Sequence, residues 1–91
     1  MKVSSDSKEK VKITQSLFAA TGDFLAVDLC DYVLGVHSKA DIRARYRERV
    51  KEAKGKERAS ARETYKIVSD FLREYDARAA RQLVLEWAGE V

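Results

Sequence analysis

The last third of the chain carries the pattern that most constrains how it can fold. Apolar and aromatic residues recur there at steps of four and three: Ala61, Tyr65, Val68, Leu72, Tyr75, Ala79, Leu83 and Trp87. Such steps place side chains on one side of an α-helix. Ser60 followed by Glu63 has the capping-box pattern that opens many helices. We therefore predict a long helix from Ser60 to about Trp87, bent near Asp76-Ala77, which packs its apolar side against the rest of the protein.

The segment from Ser38 to Lys54 predicts another helix, and this one has two different sides. Ser38 with Asp41 is a capping-box-like start, and Gly55 is placed to end the helix in a left-handed conformation. At 100° per residue, one stripe is apolar and requires a covering core: Ile42, Tyr46, Val50 and Ala53. The next stripe is basic and consists of Arg43, Arg47, Lys51 and Lys54. The acidic residues of the helix gather on another flank: Asp41, Glu48 and Glu52.

A first helix is predicted over residues 7–21, where apolar residues fall partly at helical spacing after an Asp6-x-x-Glu9 start signal. Residues 10–14 also alternate like a short strand, but the sequence offers no second strand with which it could pair. The helix reading is therefore preferred.

A central helix is predicted from Phe24 to about Leu34, because Gly22 suits the end of the preceding helix and Asp23 suits an N-cap. This segment is apolar nearly all round, so we expect it to be the most buried helix. We expect Cys30 to act as a small buried apolar residue.

Short connections join these helices. Gly35-Val36-His37 is predicted to form a tight turn in which Val36 packs back on the core and His37 leads into the following helix. Residues 55–59 are predicted to be a polar connection before the last helix.

Length and composition place these elements in one all-α domain. The 91 residues, 45% of them hydrophobic, can form one modest core, and the chain has no proline and four glycines. We predict a flexible N-terminus over residues 1–6 and a single helical domain over residues 7–91, built as a small bundle of three to four helices. The predicted core consists of Leu29, Val33, Ile42, Tyr46, Val50, Tyr65, Val68, Leu72 and Tyr75.

The sequence argues against several classes of protein. One histidine and one cysteine cannot supply a typical metal site, and the sequence shows no glycine-rich phosphate loop or Ser-His-Asp set. We therefore expect no catalytic residues, no metal and no cofactor. No window is apolar enough for a membrane span, and the lone cysteine fits a reducing compartment, so a cytoplasmic location is expected. The oligomeric state is left open.

Positive charge is concentrated in the middle of the chain. From Lys39 to Glu63, ten basic residues face five acidic ones, whereas the segments on either side are each slightly acidic. Candidate partner-binding residues are the cations of this segment: Lys39, Arg43, Arg47, Lys51, Lys54 and Lys56. They predict contact with an acidic protein surface or with nucleic acid, and the alternative is an ordinary solvated helix face.

Two acidic residues interrupt the apolar central helix. Asp28 and Asp31 form either a polar rim or a pair that answers the basic stripe, and the rim is preferred.

The order of these residues resembles the J-domain family, the DnaJ-like co-chaperones. Leu34-Gly35-Val36 is similar to the Leu-Gly-Val end of the family's first conserved helix. Ile42 with Tyr46-Arg47 is similar to the Ile-x-x-x-Tyr-Arg pattern of its basic second helix. In the third helix the similar positions are Tyr65, Val68, Phe71, Leu72, Tyr75 and Arg81. The resemblance covers about residues 28–84.

The resemblance implies a three-helix fold, preceded here by an extra N-terminal helix. The family's His-Pro-Asp tripeptide stimulates the ATPase of the heat-shock chaperone, and Lys54-Gly55-Lys56 stands in its place in a shorter tip loop. Family members without the tripeptide act as binding or regulatory partners. The resemblance therefore implies a non-catalytic, protein-binding module.

A helix-turn-helix DNA-binding protein is the alternative from another class. Leu34-Gly35-Val36 followed by a Ser-capped basic helix is also what such a unit presents to the major groove. Two details count against it. Asp31 stands four residues before Gly35, where a small residue is usual, and Ile42 lies one residue later than the tight turn allows.

Overall fold

The computed structural model describes residues 5–89, which form five α-helices joined by short connections and contain no strand. The helices are α1 (Ser5–Thr21), α2 (Phe24–Leu34), α3 (Lys39–Glu52), α4 (Lys56–Glu74) and α5 (Ala77–Gly89). The all-α prediction is confirmed, whereas the predicted count of three to four helices is wrong. Ser5 and Asp6 belong to the first turn of α1, and residues 1–4 of the predicted flexible terminus lie outside the described residues.

The boundary between α1 and α2 is formed by local hydrogen bonds that the sequence anticipates. Gly22 has φ +79°, a conformation that glycine adopts without a Cβ clash. The Gly22 N–H donates to the Ala19 carbonyl, and the Asp23 N–H donates to the Phe18 carbonyl, as in a Schellman motif. The Asp23 carboxylate then accepts from the Ala26 N–H at 3.2 Å and caps α2, as predicted.

The turn between α2 and α3 also follows from its sequence. Gly35 is in the left-handed region, and the Val36 N–H donates to the Asp31 carbonyl at the end of α2. The predicted capping box is confirmed, because Ser38 and Asp41 each accept from the other's backbone N–H. The Ser38 N–H that donates to Asp41 lowers the pKa of that carboxyl. Val36 does not pack on the core as predicted, and it is 60% exposed.

The connection between α3 and α4 is shorter than the sequence indicates. Helix α3 ends at Glu52, and Gly55 has φ +62° and ψ −130°, so it is not the left-handed end of α3. Helix α4 begins at Lys56, so most of the predicted 55–59 connection is helical. Ser60 lies inside α4 and its carbonyl accepts from the Thr64 hydroxyl, so the predicted Ser60 cap is wrong. A Ser-x-x-Glu spacing occurs inside helices as well as at their starts.

The predicted last helix is broken in two. Helix α4 ends at Glu74, and the Asp76 carboxylate accepts from the Ala79 N–H at 2.8 Å at the start of α5. The apolar pattern continues across this break because α4 and α5 each turn the residues of the repeat towards the core. The break lets α4 pack mainly on α3 while α5 packs on α1 and α2.

The core consists of two clusters. One lies between α1, α2 and α5 and has the buried members Val11, Leu29, Cys30, Ala80, Val84 and Ala88. The other lies between α3 and α4 and has the buried members Ile42, Tyr46, Val68 and Leu72. Tyr32 packs against both clusters. Of the predicted core, Val33, Val50, Tyr65 and Tyr75 are only half-buried.

Helices α3 and α4 form an antiparallel pair. Lys39, at the start of α3, donates to the Tyr75 carbonyl at the end of α4. Arg47, in the second half of α3, contacts Tyr65 in the middle of α4. The order of these contacts along the two helices is reversed, as the short connection requires. None of the helices within residues 5–89 is long and apolar enough to cross a bilayer.

Candidate interaction surface

The buried side of α3 decides which of its other residues reach solvent. Ile42 and Tyr46 are buried against α4, so the residues around them divide into two flanks. One flank starts with Arg43 and Arg47, and the other starts with Arg45 and Arg49. These flanks have different surroundings, and only the first contains the predicted basic stripe.

Arg47 is the best-defined cation of the predicted stripe. The residue is exposed, and its Nη2 donates to the Tyr65 hydroxyl at 3.3 Å. Its guanidinium carbon lies 5.9 Å from the centre of the Tyr65 ring, which is cation–π distance. The guanidinium lowers the pKa of Tyr65, because it stabilises the phenolate. Arg47 therefore stays charged at the surface and is oriented by an aromatic ring of the neighbouring helix.

Arg43 lies one turn before Arg47 on the same flank and is half-buried. No acidic side chain within residues 5–89 forms an ion pair with Arg43 or Arg47. Both cations consequently lack an ion-pair partner in the described part of the chain.

Lys51 departs from the predicted separation of basic and acidic flanks. Its Nζ lies 3.4 Å from the Glu48 carboxylate, three residues earlier on α3, and both side chains are well exposed. An exposed pair of this kind is weak, so Lys51 remains able to exchange Glu48 for another anion. The stripe is basic over Arg43 and Arg47 and is partly neutralised at Lys51.

Lys39 does not join the other predicted residues. Its ammonium donates to the Tyr75 carbonyl and lies 5.3 Å from the centre of the Tyr32 ring. Lys39 thus contacts the last turns of α2 and α4 from the N-terminal end of α3. Lys54 and Lys56 lie at the opposite end, on the exposed connection between α3 and α4, where Lys56 is the first residue of α4.

The other flank of α3 contains a polar cluster that the sequence did not indicate. Asp28 of α2 is 2% exposed, so the preferred placement on a polar rim is wrong for this residue. Its Oδ2 accepts from the Tyr46 hydroxyl at 2.5 Å, and its Oδ1 lies 3.3 Å from Arg45 Nη1. Asp28 does pair with a cation of α3, but with Arg45 and not with the basic stripe.

Burial and hydrogen bonding act in opposite directions on Asp28. Burial raises the pKa of its carboxyl, because the charged form loses water, and the bond from Tyr46 and the charge of Arg45 partly offset this effect. Burial and the bond to Asp28 likewise raise the pKa of Tyr46. The hydrogen bond from Tyr46 and the ion pair with Arg45 thus connect Asp28 of α2 to α3 inside the protein.

His37 and Asp31 extend this cluster towards the surface. His37 Nδ1 lies 3.4 Å from Asp31 Oδ2 and 3.3 Å from Arg45 Nη2. The nitrogen donates to the carboxylate when protonated and accepts from the guanidinium when it is not. Asp31 Oδ1 accepts from Gln15 Nε2 of α1 at 2.7 Å. The polar contacts of three helices thus meet near the turn at His37, where they hold the helices together.

Metal-ligand clusters and the single thiol are two further kinds of group that can give a protein chemical reactivity. Within residues 5–89, no group of three or more His, Cys, Asp or Glu side chains is arranged to hold a metal ion. Cys30 is buried, and burial raises the pKa of its thiol to about 11.

The chain was compared with known protein families, curated proteins and solved structures. No protein-family model, no curated protein and no solved structure matches the chain.

Proposed function

We propose that the protein is a non-catalytic interaction or regulatory module that binds an acidic protein surface through the basic flank of α3. The observation that carries this proposal is that two neighbouring cations, Arg43 and Arg47, have no ion-pair partner. They lie one turn apart, and no acidic side chain of residues 5–89 forms an ion pair with either. An external anion would remove their mutual repulsion and gain two charge-assisted contacts.

The proposal includes a J-domain-like fold. Helices α2, α3 and α4 follow one another with short connections, and α3 and α4 are antiparallel, which supports the resemblance of their residues to the J-domain pattern. Lys54-Gly55-Lys56 takes the place of His-Pro-Asp, and Lys56 is already helical. We therefore expect the protein to leave the ATPase rate of a heat-shock chaperone unchanged while it binds a partner by charge.

Nucleic-acid binding by the same helix is the alternative. The backbone of α3 packs closely on α4, and α3 meets α2 chiefly through side chains, as in the contacts of Tyr46 and Arg45 with Asp28, whereas a helix-turn-helix unit packs its second helix closely on its first. This arrangement favours the protein-binding proposal over DNA reading.

The test compares two triple variants that change the net charge equally. Arg43, Arg47 and Lys51 are changed together to Glu, and the control changes Lys8, Lys10 and Lys12 to Glu on the exposed surface of α1. Both variants should fold, because five of the six positions are exposed and Arg43 is half-buried outside the core, and exposed substitutions usually change stability by less than about 0.5 kcal/mol each. Circular dichroism checks the helix content of each protein before binding is measured.

Binding is measured by fluorescence anisotropy with labelled poly-L-glutamate and with a mixed-sequence DNA duplex at about 0.01 M and about 0.15 M salt. The α3 variant should bind polyglutamate at least about tenfold more weakly than wild type, and the α1 control should stay close to wild type. Equal binding of polyglutamate by all three proteins would show that the basic flank is only a solvated surface. Tighter binding of the duplex than of polyglutamate by wild type, lost in the α3 variant, would favour the nucleic-acid alternative.

A further inference from the structure

The contact between Arg47 and Tyr65 shows which side of α4 lies next to the basic flank of α3. Tyr65 is half-buried at the edge of the α3–α4 core, and Arg47 lies over its ring. Residues of α4 that lie just beyond Tyr65 around the helix therefore continue the surface that begins at Arg47. Their identity was not foreseen from the sequence, because the side-by-side placement of the two helices had to be known first.

Those residues of α4 are basic. At 100° per residue, Arg58, Arg62 and Lys66 lie within about 100° of Tyr65 on its solvent side. All three are exposed. No acidic side chain within residues 5–89 forms an ion pair with any of them. Because the helices are antiparallel, Arg58 and Arg62 lie towards the same end of the pair as Lys51.

Acidic residues border this surface on both outer sides. On α3, Glu48 and Glu52 lie beyond Lys51 around the helix. On α4, Glu63 and Asp70 lie about 140–160° from Tyr65, in the same direction around the helix as the cations and just beyond Lys66. All four are exposed. The positive area is thus a strip two helices wide, with negative charge along each edge.

We infer that this strip, formed by Arg43, Arg47 and Lys51 of α3 with Arg58, Arg62 and Lys66 of α4, binds an acidic helical segment of a partner protein. The inference rests on the proposed function and names its partner. The Cβ atoms of cations four residues apart on either helix lie about 6 Å apart, as do those of carboxylates four residues apart on a partner helix.

The dimensions of the strip favour a helix over a nucleic acid. Packed helices lie about 8–10 Å apart, so the two rows of cations can flank a helix about 10–12 Å in diameter. A DNA duplex is wider and carries phosphates along both strands, which would approach the acidic edges. Glu48 and Asp70 are partly neutralised by Lys51 and Arg73. Glu52 and Glu63 are therefore the edge carboxylates that repel a broad polyanion and tolerate a narrow acidic helix, which is a common source of specificity.

The test uses an alanine-based helical peptide of about 20 residues with glutamates at i,i+4 spacing, a length at which such helices form in water. A matched peptide with glutamine in place of glutamate is the ligand control. The proteins are wild type, the α3-row variant (Arg43, Arg47 and Lys51 to Ala), the α4-row variant (Arg58, Arg62 and Lys66 to Ala) and the α1 control (Lys8, Lys10 and Lys12 to Ala). All three variants lose the same charge, and anisotropy is read at about 0.01 M and about 0.15 M salt.

The α4-row variant should bind the glutamate peptide about tenfold more weakly than wild type, while the α1 control binds like wild type. Wild type should not bind the glutamine peptide. If the α4-row variant keeps wild-type affinity while the α3-row variant loses it, the two-row strip is wrong and the proposed function survives. If the α3-row variant keeps its affinity, the proposed function fails. Equal losses in the α4-row variant and the α1 control, or tighter binding of a DNA duplex than of the peptide, would overturn the inference.

Discussion

Tyr46→Phe removes the hydroxyl that donates to the buried Asp28 carboxylate and changes little else. Tyr46 is 3% exposed and Asp28 is 2% exposed, so water cannot replace the lost donor without opening the structure. A hydrogen bond to a charged group contributes about 1.5–3 kcal/mol net, and Arg45 at 3.3 Å still compensates part of the charge. We expect a loss of this size in the free energy of unfolding near neutral pH. For a domain of this length it corresponds to a decrease in Tm of roughly 6–24 °C.

The loss should depend on pH in a defined direction. Burial raises the pKa of Asp28, and the Tyr46 bond opposes that rise, so Tyr46→Phe raises this pKa further. A carboxyl with a raised pKa in the folded state contributes stability below its unfolded pKa of about 3.9, and this contribution is lost as pH rises through the folded value. The variant should therefore approach wild type near pH 4 and fall behind it as pH rises.

Urea unfolding followed by circular dichroism at several pH values between about 4 and 7 measures both effects. Tyr65→Phe is the matched control, because its hydroxyl accepts a bond from Arg47 at the surface and its loss should cost below about 0.5 kcal/mol. A loss below about 0.5 kcal/mol for Tyr46→Phe at pH 7, or a gap between variant and wild type that narrows as pH rises, would refute the reasoning.

The remaining predictions concern the core, the thiol and the α4–α5 break. Leu72→Ala should cost about 2–5 kcal/mol in urea unfolding because Leu72 is fully buried, whereas Ile67→Ala at the 46% exposed Ile67 should cost far less, and equal costs would contradict the packing of α4. Cys30, buried and with its pKa raised to about 11, should resist an aromatic disulfide reagent at pH 8 until urea unfolds the protein, and rapid labelling of the native protein would contradict its burial. Asp76→Ala should cost about 1 kcal/mol and speed hydrogen exchange at the Ala79 amide, and unchanged exchange there would contradict the cap.

Several features set by neighbouring residues could be predicted from the sequence, whereas the local signals at Gly55 and Ser60 did not mark helix boundaries as predicted. The Asp23 cap, the Ser38–Asp41 capping box and the glycine turns at Gly22 and Gly35 each need only a few residues in a row, and all of them form as expected. The repeat through α4 and α5 also identified a helical region with one buried side, including Val68 and Leu72.

Features set by contacts between distant segments could not be predicted. The repeat alone does not reveal that α4 and α5 pack on different helices, so it predicts a bend where the structure has a break after Glu74. The sequence favours a rim position for Asp28 because an apolar helix shows no sign of which side will meet Tyr46. Its burial follows from the Tyr46 and Arg45 donors that α3 brings to it.

The candidate surface likewise has one part that a single segment predicts and another part that depends on contacts between segments. The basic flank of α3 could be read from one helix, but the sequence could not show that Lys39 reaches the Tyr75 carbonyl at the end of α4. The sequence also could not show that Arg58, Arg62 and Lys66 of α4 lie beside the basic flank of α3. Arg58 and Arg62 join Arg47 only through the antiparallel pairing of the two helices, which the contact with Tyr65 defines.

Backbone amide chemical shifts, recorded by NMR during titration with the glutamate helix, test the central claim that binding occurs on one strip of the α3–α4 pair. We predict that the shifts that change most belong to α3 around Arg43 and Arg47 and to α4 around Arg58 and Arg62, and that increasing salt to about 0.15 M reduces these changes. The amides of α1 and α5 should change little. Changes spread evenly over all five helices, or concentrated on α5, would contradict the account.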